Sequence, residues 1–540
     1  MDIINYFLAF TNRVKYIIIP FAFYSLYILY SFNLYEFVRE LENTLTSLIL
    51  LLFVYYLIKE LKFAKYYYII TSFVVAFVQY LKIAFYEVYG YKISKSLVYT
   101  ILETYGKEVD EYLSTNLNIN IIVYTIIFFC YLFFLIKDFR NNNNLIKNRN
   151  VVMSSLFVVV ISFILYRGFH LRKYNFTYTV ASSIYDFKKT HDAFDSKLKS
   201  KTNSLFKYVS KTSIIPKIYV VVIGESTTRG HMGLYGYKRN TNPLLTEKNK
   251  NLKLYNNVFS TSAWTIFSLN HILLHKKKEI GYFDHLKEND IKASIVQLAN
   301  MAGFKTYWLS NQRQIGANET STSKIASAAD KSIFVNYEDY DFESYDEKIL
   351  PELDNLLKDN APHKMIFIHL MGAHWNFIHR YPSNFNKFTD VPPTKINDKK
   401  KQQIINEYDN AIRYNDFIVN SVIDKVSDTN TEAYVTYFSD HGVDVFENVT
   451  KAIEHSDRNP TKPMYEIPFL VWMSDGYKKN NTFNYYPNRI YVMGDFIHSF
   501  SELSNIEFSE IDLTKSIFSN EYNFDKQKII NTRLEKIIYD

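Results

Sequence analysis

Carboxylates and imidazoles follow several short apolar runs of this 540-residue chain, and these are Glu225, His369, His374, Asp440, His441 and, further along, His455. A dry, unpaired carboxylate is costly, so each acid is either a solvated loop residue or a ligand for a cation. Carboxylate and imidazole together suit zinc, and a tetrahedral site needs four donors. The chain has one cysteine, Cys130, which excludes a cysteine-rich zinc cluster and an intrachain disulfide.

A candidate nucleophile lies in the segment Asn256–Leu274, where a hydroxyl-rich turn leads into an apolar helix. Thr265 falls near the start of that helix, where free backbone N–H groups and the helix dipole favour anions. Two interpretations stay open, an N-capping hydroxyl or a nucleophile activated by a neighbouring metal. Ser262 is better placed to cap the helix, and Ser268, one turn further on, to bond back to a carbonyl.

The elements that position these groups come after Pro216. Short apolar runs occur there at KIYVVVIG (from Lys217), FKTYWLSN (from Phe304), KMIFIHLMG (from Lys364), AYVTYFSD (from Ala433) and IPFLVWM (from Ile467). Helix-like stretches, including Asp290–Ala302 and Lys401–Lys425, separate them. This alternation predicts a mostly parallel sheet flanked by helices. Ligands bind at the carboxyl edge of such a sheet, so the candidate residues are expected to meet there.

Five apolar runs in the first third of the chain predict membrane-spanning helices, at Tyr16–Phe32, Leu45–Ile58, Tyr66–Leu81, Ile119–Ile136 and Val151–Tyr166. With its flanks, each approaches the roughly 20 residues that a spanning helix needs. Basic residues concentrate before the first run and in alternate loops, at Arg13, Lys15, Lys59, Lys62, Lys65, Lys137, Arg140, Lys147 and Arg149. Basic loops stay in the cytoplasm, which predicts a cytoplasmic N-terminus and, after Arg167, a periplasmic domain.

The loop after the first run is acidic, with Glu36, Glu40 and Glu42. The loop Lys82–Asn118 contains Ile101–Leu113, which is either an interfacial helix or a plain amphipathic connector.

These patterns divide the chain into a transmembrane domain (1–167), a linker with helical segments (168–215) and a periplasmic catalytic α/β domain (216–540). The formal net charge of +7 is modest for this length, and no basic stripe predicts a nucleic-acid partner.

The whole pattern resembles the bacterial phosphoethanolamine transferases, inner-membrane enzymes with an alkaline-phosphatase/sulfatase-type domain. They include the lipid A and lipopolysaccharide-core modifying enzymes and the mobile colistin-resistance enzymes. The resemblance covers nearly the whole chain through motifs in this order: GESTTRGHMGLYGYKRNTNP, SAWTIFSL, YWLSNQ, MGAHWNFIHRYP, YDNAIRYND and SDHG.

The resemblance implies roles for individual residues. Thr265 matches the family's nucleophile, and zinc would be bound by Glu225, Thr265, Asp440 and His441. His374 and, in a loop that departs from the family pattern, His455 match residues that bind the phosphate or a second metal.

The implied reaction moves phosphoethanolamine from phosphatidylethanolamine to lipid A, lipopolysaccharide core or another envelope acceptor through a phosphothreonine-type intermediate. We expect a monomer in the inner membrane. The chain lacks the cysteines that often brace the lipid A enzymes, and its SAWT and WLSNQ motifs are closer to members that modify the core or other targets.

Two alternatives stay open from the residues alone. A periplasmic phosphodiesterase or glycerol-phosphate transferase would use the same fold. An inactive binding protein is the other, although it would be expected to have lost a ligand, and Glu225, Thr265, Asp440 and His441 are all present.

Overall fold

The computed structural model describes residues 14–32, 34–58, 64–89, 98, 119–141, 179–185, 188, 198–203, 205–211, 214–248, 251–276, 291–312, 321–336, 344–448, 460–524 and 532–539. The chain divides into two units, Met1–Phe187 and Lys188–Asp540. The predicted fifth span, the predicted interfacial helix and His455 lie outside the described residues.

The long helices described in the first unit are α1 (Lys15–Ser31), α2 (Leu34–Ile58), α3 (Ala64–Tyr89) and α4 (Ile119–Asn141). They contain the first four predicted spans. By length and composition, Ala64–Glu87 and Ile119–Phe139 are sufficient to cross a membrane, whereas α1 is apolar but shorter. The described residues therefore support two of the five predicted spans on this criterion.

The acidic loop predicted after the first span is wrong, because Glu36, Glu40 and Glu42 all lie within α2. The helix accommodates Glu40 because Lys82 of α3 forms an ion pair with it at 2.5 Å. The sequence pattern predicts that Lys82 begins the loop after the third span, whereas it lies within α3.

The second unit is built around a seven-stranded sheet with the order β2-β10-β9-β1-β8-β6-β7. These strands are β1 (Lys217–Gly224), β2 (Leu252–Leu254), β6 (Lys305–Ser310), β7 (Lys331–Phe334), β8 (His363–His369), β9 (Glu432–Ser439) and β10 (Phe469–Met473). Strand β10 runs antiparallel to both of its neighbours, and the other pairs are parallel. The mostly parallel sheet is thus confirmed.

Two small sheets lie outside it, formed by β3 (Asn257–Phe259) with β11 (Ile490–Val492) and by β4 (Leu274–Lys276) with β5 (Ile291–Ser294). The helix predicted over Asp290–Ala302 is therefore wrong in its first part. Only Ile295–Met301 is helical, and the residues before it pair with β4.

The register of β1 brings the candidate site together. Ile223 lies beside His369 of β8 on one side and Phe438 of β9 on the other. The three strands therefore end at the same edge. Side chains alternate along β1 into two buried cores, with Val221 in one and Val222 in the other. Burying such a side chain contributes about 1.5–3 kcal/mol, and burial on both faces explains the continuous apolar runs.

The helices of this unit are α5 (Pro243–Glu247), α6 (Thr265–Leu273), α7 (Ile295–Met301), α8 (Ser321–Ala326), α9 (Ile349–Leu357), α10 (Lys399–Ser427), α11 (Asp475–Asn480), α12 (Phe496–Ser504) and α13 (Thr532–Tyr539). Helices α6, α7 and α12 contribute to one core, and α9 and α10 to the other. Helices thus cover both faces of the sheet and leave its carboxyl edge to the loops.

A buried ion network fastens the segment after β1 onto α10. His231 contacts Asp409 at 2.6 Å through Nδ1 and Glu447 at 2.5 Å through Nε2. Arg239 and Tyr237 donate to the other oxygen of Asp409 at 2.8 and 2.9 Å. Burial lowers the pKa of His231, but the bonds to Asp409 and Glu447 outweigh it and raise the pKa to about 10.

This network predicts a stability that falls at alkaline pH. The folded pKa of His231 lies above the ordinary value near 6.5, so its contribution is complete below about pH 6.5 and is lost as pH rises through about 10. The free-energy advantage of the wild type over His231→Gln should shrink across that window in denaturant titrations of the second unit. His379→Gln, which removes a half-buried imidazole, is the control. A wild-type advantage that does not change with pH would contradict a charged His231.

Candidate active site

Glu225 follows β1 directly and is 1% exposed. Ser226 has a left-handed backbone, with φ of 54°, and its hydroxyl donates to Glu225 Oε1 at 2.6 Å. The N–H of Ser226 donates to Asp440 Oδ1 at 3.0 Å. This sharp turn therefore links the carboxylate after β1 to the carboxylate after β9.

Asp440 and His441 follow β9 and are also buried. Asp440 Oδ1 accepts the N–H of His441 at 2.7 Å, whereas the buried Oδ2 has no hydrogen-bond partner among the described residues. His441 Nδ1 lies 2.7 Å from the carbonyl of Gly442, which makes Nδ1 the donor of that hydrogen bond.

Thr265 is the first residue of α6, as predicted. Its hydroxyl lies 3.3 Å from each oxygen of Glu225 and 3.1 Å from His441 Nε2. Ser268 does bond to a carbonyl, but to that of Asp440 at 2.5 Å rather than to one in its own helix. Ser262 was expected to cap the helix, and its hydroxyl instead accepts the N–H of Trp264 within the preceding turn.

At this edge of the sheet the carboxylates of Glu225 and Asp440 both lie close to the imidazole of His441, and the three groups shift one another's pKa values. His441 Nε2 lies 3.4 Å from Glu225 Oε1 and 3.5 Å from Asp440 Oδ2. Burial and the charge of Glu225 raise the pKa of Asp440. Burial lowers the pKa of His441, but the charge of Asp440 and the contact with Glu225 raise it to about 9. Burial raises the pKa of Glu225, yet the His441 contact lowers it below its usual range.

The donor set fits a metal ion. One ligand atom from each of Glu225, Asp440 and His441 lies within 4.8 Å of the others. Asp440 Oδ2, which has no hydrogen-bond partner among the described residues, and the Nε2 of His441 are the kinds of donor that zinc takes. With the Thr265 hydroxyl beside them, they supply four donors.

The loop after β8 packs against Glu225. Ala373 donates its N–H to the Glu225 carbonyl at 3.0 Å. Gly372 has φ of 55°, and a Cβ there would lie 2.7 Å from that same carbonyl oxygen. His374 follows, with Nδ1 2.8 Å from the carbonyl of Trp375. The loop therefore places His374 next to the candidate ligands without joining their cluster.

His369 is the last residue of β8 and is buried with its Nε2 unpartnered. Its ring meets the edge of Trp308 with 6.1 Å between centroids. Burial lowers the pKa of His369 to about 4, so the ring is neutral. Its place at the edge was foreseen, but it makes no contact with the ligand cluster in the described part of the chain.

Asp346 was missed by sequence reasoning. This buried carboxylate accepts the N–H groups of Met371 at 2.8 Å and Gly372 at 2.9 Å, and the amide of Asn311 at 2.9 Å. Burial raises its pKa. It precedes α9 and follows no apolar run, so no sequence signal marked it. Its role is to hold the loop that carries His374.

Asp346→Asn is expected to lower the catalytic activity of this site by about 10–100-fold, the usual cost of losing a group that orients site residues. The asparagine NH2 group would face the backbone N–H of Gly372, so that two donors meet and the loop that carries His374 is disturbed. The cluster around Glu225 keeps its own contacts. Steady-state kinetics and metal analysis of purified protein measure the two effects. Asp354→Asn, at a half-exposed ion pair with Lys425, is the matched control. Equal activity in both variants would refute the positioning role.

Comparisons with known proteins agree with this geometry. Residues 217–506, more than half of the chain, match the Sulfatase family. The C-terminal periplasmic domain of EcEptC from Escherichia coli, solved in complex with Zn, superposes with a TM-score of 0.55 at 32% identity, over 59% of this chain and 91% of that one.

The chain belongs to the phosphoethanolamine transferase family of the sulfatase superfamily.

The similarity to this family extends beyond the domain that matches the Sulfatase family. Phosphoethanolamine transferase EptC of Escherichia coli (strain K12) is 29% identical over 499 residues, which covers 85% of this chain and 83% of that protein. The integral membrane protein lipooligosaccharide phosphoethanolamine transferase A from Neisseria meningitidis has the same fold over 95% of both chains, with a TM-score of 0.64 at 18% identity.

Proposed function

We propose that this chain is a zinc-dependent transferase that moves phosphoethanolamine from phosphatidylethanolamine to lipid A, lipopolysaccharide core or another envelope acceptor, through a covalent intermediate on Thr265. One observation carries the proposal. The Thr265 hydroxyl lies within 3.3 Å of both Glu225 oxygens and of His441 Nε2, and Thr265 is the first residue of a helix.

Glu225, Asp440, His441 and Thr265 would hold the metal. A bound zinc ion lowers the pKa of a neighbouring hydroxyl and polarises phosphoryl oxygens. The protein's part is to fix these donors. Ser226 orients Glu225, and the Gly442 carbonyl fixes the tautomer of His441. Such supporting contacts preorganise the ligands.

The reaction has two halves. Thr265 Oγ1 forms a bond to the phosphorus of the donor while the bond from phosphorus to the glycerol oxygen breaks. The threonine gives up a proton, the glycerol oxygen gains one, and diacylglycerol leaves. A hydroxyl oxygen of the acceptor then attacks the same phosphorus and gives up its proton, while the bond from phosphorus to the Thr265 oxygen breaks and that oxygen regains a proton. Backbone N–H groups at the start of α6 favour the phosphate at this place.

His374 is proposed to bind the phosphate or a second metal. Its Nδ1 is engaged by the Trp375 carbonyl, which leaves Nε2 for that contact. Arg380 donates to the His374 carbonyl at 2.9 Å and braces the residue from behind. We propose the same class of role for His455.

The test of the proposed function is direct transfer. The full-length chain in detergent is mixed with phosphatidylethanolamine and lipopolysaccharide, and the acceptor is analysed by mass spectrometry. A gain of one phosphoethanolamine group supports the proposal, and a gain of glycerol phosphate or release of free phosphoethanolamine alone contradicts it.

A membrane location belongs to the same proposal, because the donor is a lipid. We propose an inner-membrane, multi-pass protein with transmembrane residues 1–167, a linker over 168–215 and a periplasmic catalytic domain over 216–540, acting as a monomer. The basic loops and the full-length likeness to an integral membrane protein support this arrangement.

Topology predicts the behaviour of reporter fusions. A reporter that is active only in the periplasm should be active when joined after Lys217 and silent when joined at Lys62, because basic loops are retained in the cytoplasm. A reporter that is active only in the cytoplasm should be active at Lys62 and silent after Lys217. Its signal also shows that both fusions are expressed. Activity of the periplasmic reporter at Lys62 and silence after Lys217 would overturn the proposed orientation.

A further inference from the structure

A polar cluster lies at one end of the helices of the first unit. Tyr86 of α3 donates to the Ser31 carbonyl of α1 at 3.0 Å, and Asn120 of α4 donates to Glu87 of α3 at 2.9 Å. We call this the Ser31 end. The opposite end joins Lys15 to Asp138 at 3.7 Å and includes the basic residues predicted to face the cytoplasm. In the proposed topology the Ser31 end faces outward.

The first component of the cluster is a buried ion pair. Lys82 Nζ lies 2.5 Å from Glu40, and their side chains are 13% and 2% exposed. Tyr24 donates its hydroxyl to Glu40 at 3.0 Å, and Lys82 Nζ lies 4.2 Å from the centre of the Tyr24 ring. Charges among apolar helices are costly, and they commonly mark functional sites.

The second component is Glu87, which lies between one and two helical turns after Lys82 on α3. It accepts hydrogen bonds from Tyr27 at 2.9 Å and from Asn120 at 2.9 Å, both neutral donors. Among the described residues, no ion pair includes Glu87. The Tyr27 ring meets Tyr86 and Tyr124 edge-on, with centroids 6.1 and 5.8 Å apart. A carboxylate and aromatic rings both attract an ammonium group, the carboxylate by its charge and the rings by the negative potential of their faces.

Two carboxyl side chains, Glu40 and Glu87, share this cluster with one ammonium side chain, Lys82, which gives a formal net charge of −1. A headgroup with an ammonium and a phosphodiester would complement them, with the ammonium at Glu87 and the phosphodiester near Lys82. A primary ammonium also donates hydrogen bonds to a carboxylate, which a trimethylammonium group cannot do. The cluster therefore favours an ethanolamine headgroup over a choline headgroup, and both over a headgroup without a cation.

We propose that the Ser31 end binds a lipid with an ethanolamine headgroup, held by Glu87 and its tyrosine rings and by Lys82. The lipid's role as the donor rests on the proposed function. The site belongs to the helical unit and includes none of the residues proposed to perform the transfer.

The test uses full-length protein carrying Thr265→Ala, so that a bound donor is not consumed. Delipidated protein is equilibrated with vesicles containing equal amounts of phosphatidylethanolamine, phosphatidylcholine and phosphatidylglycerol, and retained lipid is identified by native mass spectrometry. Phosphatidylethanolamine should be enriched. Glu87→Gln should lower that enrichment by about tenfold or more, since a hydrogen bond to a charged group contributes about 1.5–3 kcal/mol.

Glu42→Gln is the matched control, because it removes an exposed carboxylate from the same helix as Glu40. Tyr124→Leu removes a ring without changing any charge, and it should also reduce the enrichment. Thermal unfolding confirms that each variant folds. Equal lipid preference in Glu87→Gln, Tyr124→Leu and Glu42→Gln would overturn the site.

Added free phosphoethanolamine should not displace the lipid, and displacement would overturn the assignment to a lipid. Transfer by the wild type is measured separately. Intact transfer without lipid preference rejects this site alone, whereas lipid preference without transfer rejects the proposed function and leaves the site standing.

Discussion

Asp440→Asn is expected to abolish transfer and lower zinc affinity by about 100-fold or more, because losing even a supporting contact costs about 10–100-fold. The substitution is close to isosteric. An asparagine oxygen in place of Oδ1 can still accept the N–H groups of Ser226 and His441, which lie at 3.0 and 2.7 Å. Its NH2 group then replaces the unpartnered Oδ2, where the proposed metal needs an acceptor.

Metal analysis of purified protein and transfer assays measure the two losses. Asp428→Asn, at the end of α10 and near the opposite edge of the sheet, is the control and should keep both properties. Chelation of the wild type should lower its thermal midpoint, because a ligand present at 100 times its Kd stabilises by about 2.7 kcal/mol. Asp440→Asn should show almost no such shift. Near-normal zinc content and turnover in this variant would reject the ligand assignment.

The convergence of Glu225, Asp440 and His441 was predictable from sequence because parallel strands leave little freedom. Once β1 and β9 are parallel and in register, as Gly224 and Ser439 are, the residues that follow them must meet. The same holds for His369 at the end of β8. The sheet constrains the position of Thr265 less, because this residue begins a helix outside the sheet. Its prediction as a site residue therefore depended on the helix-start pattern and on the family resemblance.

Long-range contacts explain what could not be predicted. Asp346 acts through backbone N–H groups of a loop about 25 residues away, and a backbone donor has no signature in the sequence. Residues Ile291–Ser294 are a strand because they pair with β4, whereas their local spacing suits a helix equally well. Glu40 looked like a loop residue because its partner Lys82 is distant in sequence.

Thr265→Ala is expected to eliminate transfer while leaving the fold intact. Thr265 is the first residue of α6 and only half-buried, and alanine is a good helix former. The variant keeps Glu225, Asp440 and His441 with their mutual contacts and should keep part of its zinc. Neither of the two nearby serines of this segment is placed to replace the lost hydroxyl, because Ser268 donates to the Asp440 carbonyl and Ser262 lies in the turn before the helix.

Three measurements separate this role from a structural one. Thr265→Ser should keep part of the activity, since a hydroxyl remains at the same place. Intact-mass analysis of the wild type mixed with phosphatidylethanolamine should show one phosphoethanolamine adduct, and fragmentation should place it on Thr265. Ser262→Ala should retain transfer, which controls for the loss of a hydroxyl near the start of the helix. An adduct on Ser262 or Ser268, or full activity in Thr265→Ala, would reject Thr265 as the nucleophile.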